Sequence, residues 1–355
     1  MSDTPPPPTP PNPGPSSARA RVRIAVQVAG FLLGLTMLGW CVRVALQPSN
    51  QAQFSRLTGA PAWSILGMLG LTAASIVLNG LIFWATIRPV RRLRVSDVVA
   101  VNALATFLAY LPFKPSAVAR VVIHNRRDGV PVAVIGAWFA AVAAVLLVAL
   151  APPTLASLWR PTIDAPWIAA AGGGVILLAS AMMIVARFFR GERGIERIHA
   201  ILDPLRLRVA QRVLRSRSWL HLHEGFTILS SPGVVAGTVA LRLTDAGVQA
   251  ARFVLAASIL GQALPVEQAV IVAVTFFLIG VVSPTGMLGF REGGATGLAA
   301  ALAFKDSEQF AAVALLVGAA EAIVNLTGAA AGLAWLRPDR LFKRIGGATG
   351  RGAPP

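Results

Sequence analysis

Three stretches of this chain stay apolar for longer than a bilayer is thick. They are IAVQVAGFLLGLTMLGW (24–40, continuing to about 46), WSILGMLGLTAASIVLNGLIFWATI (63–87) and PVAVIGAWFAAVAAVLLVALA (131–151). About 18 to 20 apolar residues in a helix cover the hydrocarbon core. Lipid offers nothing to bare N–H and C=O groups, so such runs must be helical. Composition agrees. Of 355 residues, 55% are hydrophobic and 13% charged, against about a quarter charged in an ordinary soluble domain. The expectation is an all-α polytopic membrane protein.

The net charge is +17, which in a soluble protein would point to nucleic acid. Here the basic residues cluster between the apolar runs, as in the cytoplasmic loops of membrane proteins. No nucleic-acid module is recognisable, so nucleic acid is not an expected partner. Clusters occur at Arg19, Arg21 and Arg23, at 88–94, at 114–127, across 187–217 with nine arginines, and in the tail from Arg337. The segments 47–62, 152–165, 263–268 and 304–309 hold only Arg56, Arg160 and Lys305. The asymmetry predicts both termini and the basic link 188–220 on the cytoplasmic side of a cell inner membrane. Residues 1–20 read as a disordered Pro-rich tail, 21–336 as one transmembrane domain, and 337–355 as a second basic tail. The lone Cys41 reads as a packing thiol.

This topology leaves two apolar pieces that cannot cross. VSDVVAVNALATFLAYLP (95–112) lies between a helix that arrives inside and one that leaves from inside, so it must dip in and return, broken at Pro112. The piece around 269–303, centred on PTGMLGFREGG (284–294), meets the same constraint from the external side. Pro112 precedes Arg120 by eight residues, and Pro284 precedes Glu292 by eight. Each half, about 24–151 and 166–336, reads helix, helix, hairpin, helix. The prediction is six transmembrane helices (24–46, 63–87, 131–151, 166–187, 234–260, 310–335) plus two re-entrant helical hairpins (95–127, 269–303) in an inverted repeat. Interrupted helices in inverted halves are typical of secondary transporters.

FFLIGVVSPTGMLGFREGG (276–294) resembles the P-x-P-G-G-L-G-x-x-E motif of the flippase-like family, the transmembrane region of lysylphosphatidylglycerol synthases and their stand-alone relatives. LPFKPSAVARVVIHNRRDGV (111–130) is similar to that family's first motif, P-G-R-x-G-E-x-x-R followed by a basic patch and Gly-Val. Gly286, Leu288, Gly289, Arg291 and Glu292 match the second motif, and Pro112, Lys114 and Arg120 the first. Thr285 stands in place of the second motif's inner proline. Phe113, Ser116 and Ala117 stand in place of the first motif's two glycines and glutamate. The helix GAWFAAVAAV (136–145) lacks the family's acidic–basic pair. The resemblance implies a divergent member, a lipid-moving part without the soluble synthase domain that follows in full-length synthases.

Charges within a bilayer are costly and face a cavity or a partner. The candidates are Arg120, Arg242, Asp245, Arg252, Arg291, Glu292 and Glu321. Arg242 and Asp245, at i and i+3, can form a structural ion pair. Arg120 and Arg291 follow the two hairpin breaks and can converge. A guanidinium fork suits phosphate, and half-helix N-termini near Ser116 and Gly286 add backbone donors. Lys114, Arg120, Gly286, Gly289, Arg291 and Glu292 are therefore the expected substrate-binding set, with Glu292 holding Arg291 or offsetting its charge. Gly30/Gly34 and Gly328/Gly332 are GxxxG pairs, suited to packing within the monomer or to a homodimer. HLHE (221–224) spaces its histidines unlike a metalloprotease pair, so no metal or other cofactor is expected. The link after 190 reads as a basic amphipathic helix touching anionic lipid.

The expected function is a lipid flippase-like transporter moving a phospholipid or lipid-linked polar headgroup between leaflets. Membrane lipids, anionic phospholipid in particular, are its expected partners. The alternative is a non-transporting membrane partner of a separate envelope-lipid enzyme. No acid–base, nucleophile or metal constellation suggests that the chain is itself an enzyme.

Overall fold

The computed structural model describes residues 15–113, 115–160, 162–202, 223, 225–283, 287–304 and 310–337. All regular structure among them is helical. The α-helices with bounds inside them are α1 (Pro15–Ala45), α2 (Gln51–Thr58), α3 (Ala62–Ile87), α4 (Val95–Leu108), α5 (Pro115–Arg126), α6 (Val132–Trp159), α7 (Ala165–Phe188), α8 (Gly191–Leu202), α9 (Pro232–Ile259), α10 (Val266–Val282), α11 (Phe290–Ala301) and α12 (Phe310–Leu336). Five of them, α1 from Ile24, α3, α6, α7 and α12, are long and apolar enough to cross a membrane. The chain is therefore an integral membrane protein. Outward-facing apolar side chains on α1 and α7, such as Val26 and Ile176, are the surface such a protein offers to lipid.

Helix ends follow local chemistry. Asp164 caps α7 by accepting from the Trp167 backbone N–H at 3.0 Å, with Pro166 in the first turn. Arg160 grips the same carboxylate, Nε lying 2.9 and 3.0 Å from its two oxygens. The hydrogen bonds from Arg160, then the one from Trp167, hold the Asp164 carboxyl below its ordinary range. A carboxyl that ionises at lower pH folded than unfolded stabilises the fold fully above about pH 4, and that contribution fades as pH falls through the lowered value. Asp164→Ala should therefore flatten the acid limb of a thermal-stability profile. An acid limb as steep as wild type would refute the assignment.

Two helices run past the predicted bounds. Helix α6 continues through Pro152 and Pro153 to Trp159, where 151 was the expected end. A mid-helix proline removes a backbone hydrogen bond, and in membrane proteins neighbouring helices make this tolerable. Here Pro152 seats against Gly174 of α7, where an added Cβ would lie 2.8 Å from the Pro152 Cβ. Helix α1 starts at Pro15, within the expected 1–20 tail, with proline at a position that suits a helix start. Residues 1–14, 203–222 and 338–355, and with them much of the tails and the basic link, lie outside the described residues.

The pieces 95–126 and 266–301 each break into two helices that fold back on one another. In the first, Arg120 of α5 reaches Asn102 of α4, and the connection includes Phe113 at φ 71°. In the second, Gly280 of α10 packs under Arg291 of α11, and Gly294 under Ile279. Small residues let these pieces sit deep among the long helices. Gly80 of α3 abuts Val99 of α4, and Gly332 of α12 abuts the Ala100 carbonyl, where a Cβ would be 2.7 Å away. Gly34 of α1 meets Leu288 and Phe290. Gly34 and Gly332, each from a GxxxG pair, are thus used within the chain, as expected where close packing drives helix association.

Candidate functional site

Helix α9 carries Arg242, Asp245, Gln249 and Arg252, spaced three, four and three apart, so all four lie on one face. That face is turned inward, each side chain being buried. It meets Ser75 and Asn79, one turn apart on α3. The Ser75 hydroxyl donates to Asp245 Oδ1 at 2.6 Å, and Asn79 Nδ2 to Oδ2 at 3.1 Å. Arg242 donates to Asp245 Oδ2 and to Asn79 Oδ1, both at 2.9 Å. Gln249 donates to Ser75 at 3.1 Å and accepts from Arg252 at 2.9 Å.

The network continues into α12. Glu321 Oε1 lies 2.7 Å from Arg252 Nη2, and its Oε2 accepts from Arg291 at the start of α11. One carboxylate thus bridges two guanidiniums. Arg120 stands apart from this network. It donates to Asn102 Oδ1 at 2.6 Å and lies 4.2 Å over the Phe83 ring. Asn102 is itself held by the Ile76 carbonyl. No acid pairs with Arg120 among the described residues. Arg291 and Arg242 are likewise seated on aromatic faces, Phe276 at 3.9 Å and Phe277 at 5.0 Å, an arrangement favourable to cations away from water.

These side chains, Asp245 excepted, line a cavity of about 500 Å³, within the range of small-molecule sites. Its wall includes Arg120, Arg242, Arg252 and Arg291 together with Glu321, the only acid among the lining residues described. Ser116 and Ala117, in the first turn of α5, also line it. The Nε–H groups of Arg242, Arg252 and Arg291 are buried behind the wall with no hydrogen-bond acceptor among the described residues. Leu111, Leu147 and Val281 line the cavity and are also 45%, 60% and 46% exposed. Apolar side chains therefore form part of the cavity's open rim.

Of the expected binding residues, Arg120 and Arg291 come together on this wall. Lys114 and Gly286 lie outside the described residues. Glu292 does not hold Arg291. Its Oε2 instead accepts from the Gly289 N–H at 2.9 Å and caps its own helix. Adjacent residues on a helix point apart, which leaves Arg291 to Glu321. Gly289, at φ 78°, packs on the Gly34 carbonyl. It shapes the turn and does not line the cavity. No cluster of three or more metal-type ligands occurs among the described residues; of the HLHE histidines, only His223 is described.

The uncharged polar residues Ser75, Asn79, Asn102 and Gln249 are absent from the set expected from sequence, although polar groups one turn apart in an otherwise apolar run are a visible signal.

No curated protein and no solved structure matches the chain. The model of the lysylphosphatidylglycerol synthase TM region matches residues 27–328, a span that takes in both broken-helix hairpins and every charged group on the cavity wall, and the chain belongs to that family.

Proposed function

We propose that the chain is a flippase-like transporter that takes a phospholipid or lipid-linked polar headgroup into the cavity and moves it between leaflets. The observation that carries this reading is the meeting of Arg120 and Arg291, one from each broken-helix hairpin, on a cavity with an apolar rim. A headgroup phosphate suits the guanidiniums, and acyl chains suit the rim of Leu111, Leu147 and Val281. In this reading α1, α3, α6, α7, α9 and α12 span the membrane. The pairs α4–α5 and α10–α11 re-enter from opposite sides in inverted halves. Both termini face the cytoplasm, and the membrane is the cell inner membrane.

Hydrogen bonds and ion pairs at the helix ends support this topology. Asp97 at the start of α4 accepts from Trp335 near the end of α12 at 2.9 Å and pairs with Arg127 after α5 at 3.1 Å. All three belong to the basic side. Arg56, on the other side, donates to the Gly261 carbonyl at 3.2 Å, just after α9.

The test is lipid flip in proteoliposomes with headgroup-labelled phospholipid. Wild type should accelerate flip over empty vesicles. Arg120→Ala should lower the rate about tenfold or more, the weight of one charge-assisted hydrogen bond. Equal rates for wild type, variant and empty vesicles would remove the transport reading. A second reading, a non-transporting partner of a separate lipid enzyme, is favoured by Ala117 in place of the family's glutamate and by the uncharged cavity face of α6 at Phe139, Val142 and Ala143. It predicts a stable co-purifying enzyme and no intrinsic flip.

A further inference from the structure

We propose that α5 is a moving gate of the cavity and that α11, the second helix of the other broken pair, is its fixed counterpart. The gate rests on the transport reading above for its purpose and on packing alone for its motion. Helix α5 forms a thin wall. Ser116, Ala117 and Arg120 line the cavity on one side. Val118 and Val122, on the other, are more than half exposed, and in the proposed topology they face lipid. One residue of α5, His124, is buried. Helix α11 has the same length, 12 residues, but buries six of them, Arg291, Glu292, Gly293, Ala295, Thr296 and Ala299. Elements with few buried contacts are the ones that open at low free-energy cost.

The two helices are also held differently. Helix α11 is pressed against α1. A Cβ on Gly289 would lie 1.7 Å from the Gly34 carbonyl oxygen, and one on Gly293 2.5 Å from the Met37 Cε. From α12, Gly318 packs on the Glu292 carboxylate and Glu321 pairs with Arg291. Helix α5 instead packs chiefly on α4 of its own pair. Its basic-side end is anchored. The His124 ring lies 4.9 Å from the Trp138 ring of α6, and Arg127, just past the helix, pairs with Asp97. Gly129 follows at φ 64°, a residue able to absorb the backbone change a hinge demands. The far end, from Pro115 to Val118, is held by less. Arg120 ties the helix to Asn102 of α4, and Tyr110 in the connection accepts from Asn325 of α12 at 3.0 Å. The same connection keeps Phe113 in the left-handed region at φ 71°, where an L-residue is strained, so displacement of this end releases strain. The resulting motion swings the Pro115 end about the His124 end. It carries Arg120 away from Asn102 and opens the cavity past α5.

The experiment measures spin-label distances on the full chain in lipid nanodiscs. Cys41 is the one native cysteine, so Cys41→Ser gives a clean background. Labels at Val118→Cys and Ile176→Cys read α5 against α7, and labels at Ala300→Cys and Ile176→Cys read α11 against the same reference; all three positions are exposed. The Val118 pair should show two distance populations and the Ala300 pair one. Tyr110→Phe, which deletes only the hydroxyl, should raise the minor Val118 population about threefold to tenfold, the weight of one neutral hydrogen bond. Helicity and melting confirm that the labelled variants fold. A single Val118 population that Tyr110→Phe leaves unmoved would make α5 a fixed wall and end the proposal. Two populations at both pairs would show the broken pairs moving alike and overturn the asymmetry. The flip assay separates the two readings: two Val118 populations without flip above empty vesicles would keep the gate and remove transport.

Discussion

Glu321→Gln should cost the fold about 3–5 kcal/mol, the penalty for breaking a buried ion pair from one side. The carboxylate on α12 lies 2.7 Å from Arg252 of α9 and also accepts from Arg291 of α11. All three side chains are less than a tenth exposed. The amide is nearly isosteric, so the change removes charge and leaves volume almost untouched. Two guanidiniums then lose their ion-pair partner within the protein, and arginine cannot shed its proton to escape. Thermal unfolding in detergent, followed by size-exclusion profile, reads the loss. The double variant Glu321→Gln with Arg291→Met should be more stable than Glu321→Gln alone, because one orphaned charge is removed with its partner. A single variant that melts with wild type would show that the bridge contributes nothing.

Gly289→Ala should be nearly as damaging, at more than about 3 kcal/mol, since strain and overpacking add. At φ 78° the residue sits in the left-handed region, which costs an L-residue roughly 1–2 kcal/mol. The added Cβ would also fall 1.7 Å from the Gly34 carbonyl oxygen of α1. The obstacle is backbone, so no rotamer change relieves it, and α1 must move away from α11. Gly297→Ala, in the same helix with nothing near its Cβ position, is the matched control. It should be neutral or more stable by up to about 1 kcal/mol from reduced backbone freedom. Equal melting of the two variants would refute the close-approach account.

Apolar length carried much of the architecture. The run 63–87 became α3 at Ala62–Ile87, and 234–260 became α9 at Pro232–Ile259. The breaks near Pro112 and Pro284 were legible because proline and glycine end helices locally. The overrun of α6 past Pro152 was not, because its tolerance depends on Gly174 of another helix. The site was legible as a set of costly charges but not as a set of pairs. Arg242 and Asp245 share a helix face, so their pairing is local. Glu321 meets Arg252 and Arg291 across long sequence separations, and nothing in a single chain's order encodes which acid meets which base. Of the two roles expected for Glu292, holding Arg291 is taken by Glu321 instead, since neighbours in sequence point apart on a helix.

The order of synthesis gives the Glu321 bridge a further significance. Helix α9 is not among those apolar enough to cross a membrane unaided. Its Asp245 finds Ser75 and Asn79 on α3, which the ribosome has already delivered. Arg252 and Arg291 must wait, because their carboxylate belongs to α12, the final helix described. A nascent chain halted before residue 321 holds two arginines whose acid has not been translated. Emergence of α12 is thus the step that supplies the one carboxylate both arginines share.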